Sequence, residues 1–110
     1  MTPDPADYGL ILTTTASQES AKAIAQTLVT AKLAACVSLF PIHSLYTWQD
    51  SLEATDEWQL LIKADLRQFQ AISALVQDIH PYTVPELIAL PLTAAAPAYL
   101  QWLATQTTIP

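Results

Sequence analysis

The chain has 110 residues, 52% of them hydrophobic and only 13% charged, with four basic side chains against ten acidic ones for a formal net charge of −6. That length suits one domain with a single core, and so acidic a chain repels a phosphate backbone, which excludes nucleic acid as an expected partner. So few charges wrap a monomer of this size poorly, and self-association is the expectation.

Residues 1–7, acidic and broken by Pro3 and Pro5, read as an irregular tail. Tyr8 to Thr15 reads as a strand, with Leu10, Ile11 and Leu12 ahead of three β-branched threonines. From about Ser17 to Lys32 the apolar positions Ala21, Ile24, Ala25 and Leu28 take up helical spacing, and Thr15 with Gln18 offers a capping box. Ala34 to Phe40 reads as a second strand stopped by Pro41, and Leu45 to Trp48 as a short extra strand. The acidic residues Asp50, Glu53, Asp56 and Glu57 are expected to hold a turn before a strand from Glu57 to Ala64. Asp65 with Gln68 offers the next helix start, and Phe69, Ile72, Leu75, Val76 and Ile79 form one apolar stripe ending at His80. Glu86 to Pro91 reads as the last long strand and Pro97 to Gln106 as a closing helix, with residues 107–110 as a tail.

This order is the split βαβ pattern of an α+β, ferredoxin-like sandwich. One domain over residues 8–106 lays two helices on one face of an antiparallel sheet, with an extra short strand and a C-terminal helix. In Leu10-Ile11-Leu12, Leu60-Leu61-Ile62 and Leu87-Ile88-Ala89-Leu90, however, apolar side chains point to both sheet faces. Two helices cover one face. The expected cover for the other is a second copy of the chain.

The segment His80-Pro81-Tyr82-Thr83-Val84-Pro85-Glu86 is a stiff link carrying an imidazole, a phenol and a carboxylate, because each proline restrains itself and the residue before it. With Gly9 the only glycine, no phosphate-cradling loop can be built, and no nucleotide or organic cofactor is identifiable. Arg67 is the sole arginine and lies in a helix start, which speaks against an arginine-based phosphate cradle. Nothing marks a nucleophile or oxyanion site beside His80 and Glu86, so catalysis is not expected. The soft metal ligands are Cys36, His43 and His80, without paired spacing. Cys36 sits in an apolar strand where a free cysteine is most often core; His43 reads as a loop residue; His80 is either a helix C-terminal residue or a ligand. A metal site needs three or four ligands, which copies around a symmetry axis would have to assemble. Tyr46 and Trp48 share a strand face, and Tyr99 and Trp102 one side of the last helix, as core or interface anchors often do. Glu57 and Lys63 share a strand parity but stand about 20 Å apart. The single cysteine allows no internal disulfide, and the first residues lack the basic lead of a secretion signal. No apolar run approaches the roughly 20 residues of a membrane helix, so the expected location is cytoplasmic.

Five blocks, Leu33-Ala34-Ala35-Cys36-Val37, Ser44-Leu45-Tyr46-x-Trp48, Glu57 leading to Leu61-Ile62-Lys63, His80-Pro81-Tyr82-x-x-Pro85-Glu86-Leu87 and Tyr99-Leu100-x-Trp102, stand in the order and spacing of the CutA divalent-cation tolerance proteins. From about Leu10 to Leu103 the chain resembles that family. The resemblance implies a ferredoxin-like protomer in a homotrimer and a cytoplasmic, non-enzymatic role in tolerance of copper and other divalent ions. It also implies a divalent metal, Cu²⁺ first, or a small ligand in clefts between subunits. The cleft positions it carries over are Tyr46, Trp48, Glu57, Lys63, Tyr82, Glu86 and Trp102, with His80 and Cys36 as metal candidates. The architecture is similar to PII signalling trimers, so the alternative is a signalling or scaffold trimer that reads a metabolite or partner protein. The chain departs from the family pattern at Asp50, where glycine is usual in the turn, at Thr83, often glutamate or glutamine, and at Ser38, often asparagine.

Overall fold

The computed structural model describes residues 2–108; Met1 and residues 109–110, the outer ends of the tails expected at 1–7 and 107–110, lie outside the described residues. Strand β1 (Tyr8–Thr15) pairs antiparallel with β3 (Ser51–Asp65) on one side and β4 (Ile88–Pro91) on the other. β3 in turn pairs with β2 (Cys36–Trp48), so the order across the sheet is β2-β3-β1-β4. Helix α1 (Gln18–Thr30) joins β1 to β2, α2 (Phe69–Ile79) joins β3 to β4, and α3 (Pro97–Gln106) closes the chain. This is the antiparallel α+β ferredoxin-like arrangement that the sequence indicates.

Strand periodicity sorts the core. Ile11 of β1 and Leu60, Ile62 and Ala64 of β3 face the helices and meet Ala21, Ile24 and Leu28 of α1 and Ile72 and Val76 of α2. Their alternates occupy the far face, where Leu10 stands between Lys63 and Leu90, and Leu12 between Leu61 and Ile88. Helix α3 covers one end of that face, packing Leu100 and Leu103 against Tyr8. The rest is uncovered by this chain: Phe40, Ile88 and Leu90 remain 42%, 48% and 46% exposed.

The largest departure from expectation is the hairpin. Pro41 does not stop the second strand, and the short strand at Leu45–Trp48 is not separate; β2 runs 13 residues without a break and β3 runs 15. β2 is an edge strand, where a missing N–H leaves no ladder bond unmade, so Pro41 stands opposite Trp58 within the pairing. The turn is only Gln49-Asp50, with φ of 50° and 64°, the left-handed pair of a two-residue hairpin. Glu53, Asp56 and Glu57 therefore lie in β3 rather than in an acidic turn. Because β1 ends at the pair Thr15–Trp58, the hairpin beyond it is held by β2–β3 pairing alone, and the protomer stretches to 50 × 26 × 22 Å.

Helix ends also differ in detail. The N-cap of α1 is Ser17, whose hydroxyl accepts the Ser20 N–H at 3.1 Å, and not the expected Thr15, which bonds the Ser20 hydroxyl at 2.8 Å. The helix stops at Thr30 instead of Lys32, because Lys32 turns left-handed at φ 59°. Leu33 N–H then reaches the Leu28 carbonyl at 3.0 Å and Lys32 N–H the Val29 carbonyl at 3.1 Å, a Schellman closure with lysine where glycine is usual. Asp65 does start a helical segment, accepting Arg67 N–H at 2.9 Å ahead of a 3₁₀ turn, Leu66–Gln68, that leads into α2. The last strand begins at Ile88 rather than Glu86.

Gly9 is required by proximity. A Cβ there would fall 2.0 Å from the Leu90 carbonyl oxygen and 2.8 Å from Leu66 Cδ1. Gly9→Ala is expected to push β4 off β1 and destabilise the fold by about 2 kcal/mol, whereas Lys32→Gly is expected to stabilise it by about 1 kcal/mol by relieving a left-handed side chain. Denaturant titrations at matched protein concentration measure both; an alanine variant as stable as the parent refutes the first, a glycine variant less stable than the parent the second.

Candidate functional site

The stiff link between α2 and β4 is fastened to the sheet at two points. His80, ahead of Pro81, leaves the helix with φ −77° and ψ 137° and is 8% exposed. Its Nε2–H donates to the Thr14 carbonyl at 2.7 Å, and its Nδ1 accepts the Tyr82 N–H at 3.0 Å. A carbonyl can only accept and an amide N–H only donate, so this pairing defines a neutral ring with its proton on Nε2. The Tyr82 hydroxyl then donates to Glu57 Oε2 at 2.7 Å, and the His80 and Tyr82 rings lie 4.9 Å apart. Glu57 itself is 6% exposed.

Between this link and the projecting hairpin lies a cleft of about 790 Å³. Ser44, Tyr46 and Trp48 line it from β2, Thr14, Glu57 and Gln59 from β1 and β3, and residues 81–84 with Glu86 from the link. The Tyr46 hydroxyl is braced by Thr55 Oγ1 at 3.1 Å, and Gln59 Nε2 donates to the Thr13 carbonyl at 2.9 Å. Two carboxylates, Glu57 and Glu86, line the cleft and no lysine or arginine does. Burial first, then the hydrogen bond and charge of Glu57, push the Tyr82 phenol well above the ordinary tyrosine range. Arg67 lies elsewhere, bonded to Asp65 by Nε at 3.0 Å and by Nη2 at 2.9 Å, which holds its guanidinium still more firmly protonated.

Of the residues singled out in the sequence, His43, Tyr46, Trp48, Glu57, Tyr82 and Glu86 line the cleft. Lys63 and Trp102 do not line it. Lys63 shares the far face but sits farther down β3, with Nζ 3.3 Å from Ser38 Oγ and 3.7 Å from Cys36 Sγ. Trp102 is exposed on α3, where it packs against Tyr99 at 5.5 Å between ring centroids. His80 and Cys36 do not converge within the protomer, and each is already engaged: both ring nitrogens of His80 are bonded, and Cys36 has an ammonium beside it. Among the described residues, no three His, Cys, Asp or Glu side chains gather as metal ligands. Sequence reasoning missed Gln59, whose parity with Glu57 was the available signal, and the Thr14 carbonyl, which no residue type announces. His43, read from the sequence as a loop residue, lies instead within β2, at the cleft, and meets Asp56 across the exposed hairpin at 2.5 Å.

Residues 9–106 match the family model described as CutA1 divalent ion tolerance protein. The chain belongs to the CutA1 family. It is 40% identical over 99 residues to the divalent-cation tolerance protein CutA of Thermus thermophilus, covering 89% of this chain and 96% of that one. The mouse protein CutA is 37% identical over 99 residues, 89% of this chain and 56% of its own. Among solved structures, CutA of Synechococcus elongatus PCC7942 superposes with a TM-score of 0.91 at 37% identity, over 98% of this chain and 96% of that one. The Archaeoglobus fulgidus CutA, described as a periplasmic divalent cation tolerance protein, gives 0.90 at 33% identity, over 92% and 99%. The CutA1 description names tolerance of ions rather than a reaction.

The Tyr82 environment predicts a phenol that stays protonated when ordinary tyrosines, with a pKa of about 10, ionise. A group whose folded pKa is raised adds stability that is complete below that ordinary value and is lost as pH climbs above it. Phenolate absorbance of the folded protein should show a late-ionising component that shrinks by one phenol in Tyr82→Phe; a late component unchanged in that variant would refute the assignment.

Proposed function

We propose that the protein is a cytoplasmic homotrimer of the CutA1 family that serves divalent-cation tolerance by taking up a divalent cation or a small ligand in clefts between its subunits. One observation supports association, with the number three taken from the family resemblance: the far face of the sheet, with Leu10, Leu12 and Leu61 half-buried and Phe40, Ile88 and Leu90 exposed, is apolar and uncovered by the described residues of the protomer. Burying it against further copies removes that surface from water and closes the open side of a cleft on the same face. The cytoplasmic reading rests on the unpaired Cys36.

Copper is the leading ion, as the family's name for divalent ions and the two soft ligands suggest. Within one protomer, however, an ion entering the cleft meets His43, Glu57 and Glu86 rather than Cys36 or His80. A copper site built on Cys36 would need ligands from other subunits. The second reading, a PII-like trimer that binds a metabolite or a partner protein, is favoured by the cleft itself, whose volume and aromatic lining suit an organic molecule.

Sedimentation equilibrium should return a trimer for the full chain and a shift toward smaller species for Leu90→Asp, which places a charge on the exposed face; a stable monomer of the parent refutes the assembly. Calorimetric titration of the metal-free protein with Cu²⁺ and Zn²⁺ tests the ion. Saturable heat weakened in Glu57→Gln and Glu86→Gln supports the cleft, loss confined to Cys36→Ala moves the site to Cys36, and no saturable heat removes direct metal binding.

A further inference from the structure

Glu57 is a nearly buried carboxylate with half of its bonding capacity unused. Oε2 accepts the Tyr82 hydroxyl, while Oε1 takes no hydrogen bond from the described residues. Among those residues the only fully enclosed side-chain nitrogen or oxygen lacking a partner is Thr13 Oγ1, so Glu57 Oε1 keeps an opening, and the opening is the cleft that Glu57 lines. Tyr82 stands beside it and Tyr46 follows along β2, while Trp48 lines the far end of the cleft near the hairpin turn; Glu86 forms no ion pair among the described residues.

We infer that the cleft selects a small organic ammonium ion, its charged nitrogen on Glu57 Oε1 and its carbon chain against Tyr82 and Tyr46. This rests on the reading of the cleft as the recognition site and names the ligand class. Four chemistries compete for such a space. A nucleotide or other anion meets two carboxylates and, within the same protomer, no lysine or arginine, only His43, which is already bonded to Asp56, so the protomer's own lining disfavours it. A bare divalent ion needs three or more converging ligands, which the described residues of one protomer do not supply, so it would depend on groups from neighbouring copies. A neutral molecule can donate a hydrogen bond to Oε1 but leaves the nearly buried carboxylate without a counter-charge. An ammonium ion satisfies all three features together: N–H donors for Oε1, positive charge for the aromatic faces and methylenes for the apolar walls. The link that carries Tyr82 is fastened through His80 before any ligand arrives, so little ordering is lost on binding.

The test titrates the full chain in its native assembly with 1,4-diaminobutane, and separately with 1,4-butanediol, its neutral counterpart, reading tryptophan fluorescence and calorimetric heat. ATP and Zn²⁺ are run beside them. Saturable binding of the diamine and none of the diol is expected. Glu57→Gln, which keeps an acceptor for Tyr82 but removes the charge, should weaken diamine binding by about tenfold or more. Tyr46→Leu, a change on the exposed hairpin, should weaken it several-fold by loss of an aromatic face beside the chain, with the melting temperature measured alongside to check that the variant is folded. Equal binding of diamine and diol overturns the inference, as do diamine binding unchanged in both variants and no diamine binding at all. Binding of Zn²⁺ or ATP that is lost in Glu57→Gln, without a diamine response, leaves the cleft as the recognition site and overturns the ammonium assignment alone.

Discussion

β3 is longer than β1. Everything distinctive in the protomer follows from that mismatch, because β1 stops at Thr15 opposite Trp58 while β3 continues to Ser51 with β2 as its only companion. The overrun lifts a two-stranded arm clear of the helices, and it leaves a step where β1 ends. The link from α2 crosses that step. His80 bonds the last part of β1 and Tyr82 bonds Glu57 just beyond it, so the cleft is the gap between a sheet that ends and a hairpin that does not.

The same overrun explains how a carboxylate comes to be buried. On an isolated hairpin the Glu57 side chain would stand in water; here the link folds across it and the Tyr82 phenol takes one oxygen. The exchange is mutual, since burial, and then the same contact with Glu57, lowers the acidity of the phenol. Two restrained prolines make this arrangement stiff, and the neutral His80 ring secures its base with one donor and one acceptor, a geometry that no charged imidazole reproduces.

Much of this was legible in the residues. β1 and α3 have the bounds that alternation and proline placement give, and the apolar positions on both strand faces announced a sheet needing cover on each side. The cleft residues Tyr46, Trp48, Glu57, Tyr82 and Glu86 were identified from the family resemblance and fall together, because strand parity puts the first three on one face. The long hairpin was not legible. Proline reads as a strand stop unless one knows that the strand is at an edge, and edge status is a property of the sheet order rather than of the segment. For the same reason Lys63 and Trp102, which belong to the same motif blocks, end up outside the cleft: shared parity does not convey distance along a strand, and helix α3 covers the opposite end of the face.

Pro41 has a further consequence. A thirteen-residue edge strand offers a long outer row of backbone donors and acceptors, the kind of template on which unrelated chains stack into fibrils. The ring interrupts that row partway along, where no hydrogen can be offered to a newcomer. A foreign strand can therefore zip along only a fraction of β2 before its ladder breaks, so the hairpin can remain long without becoming adhesive.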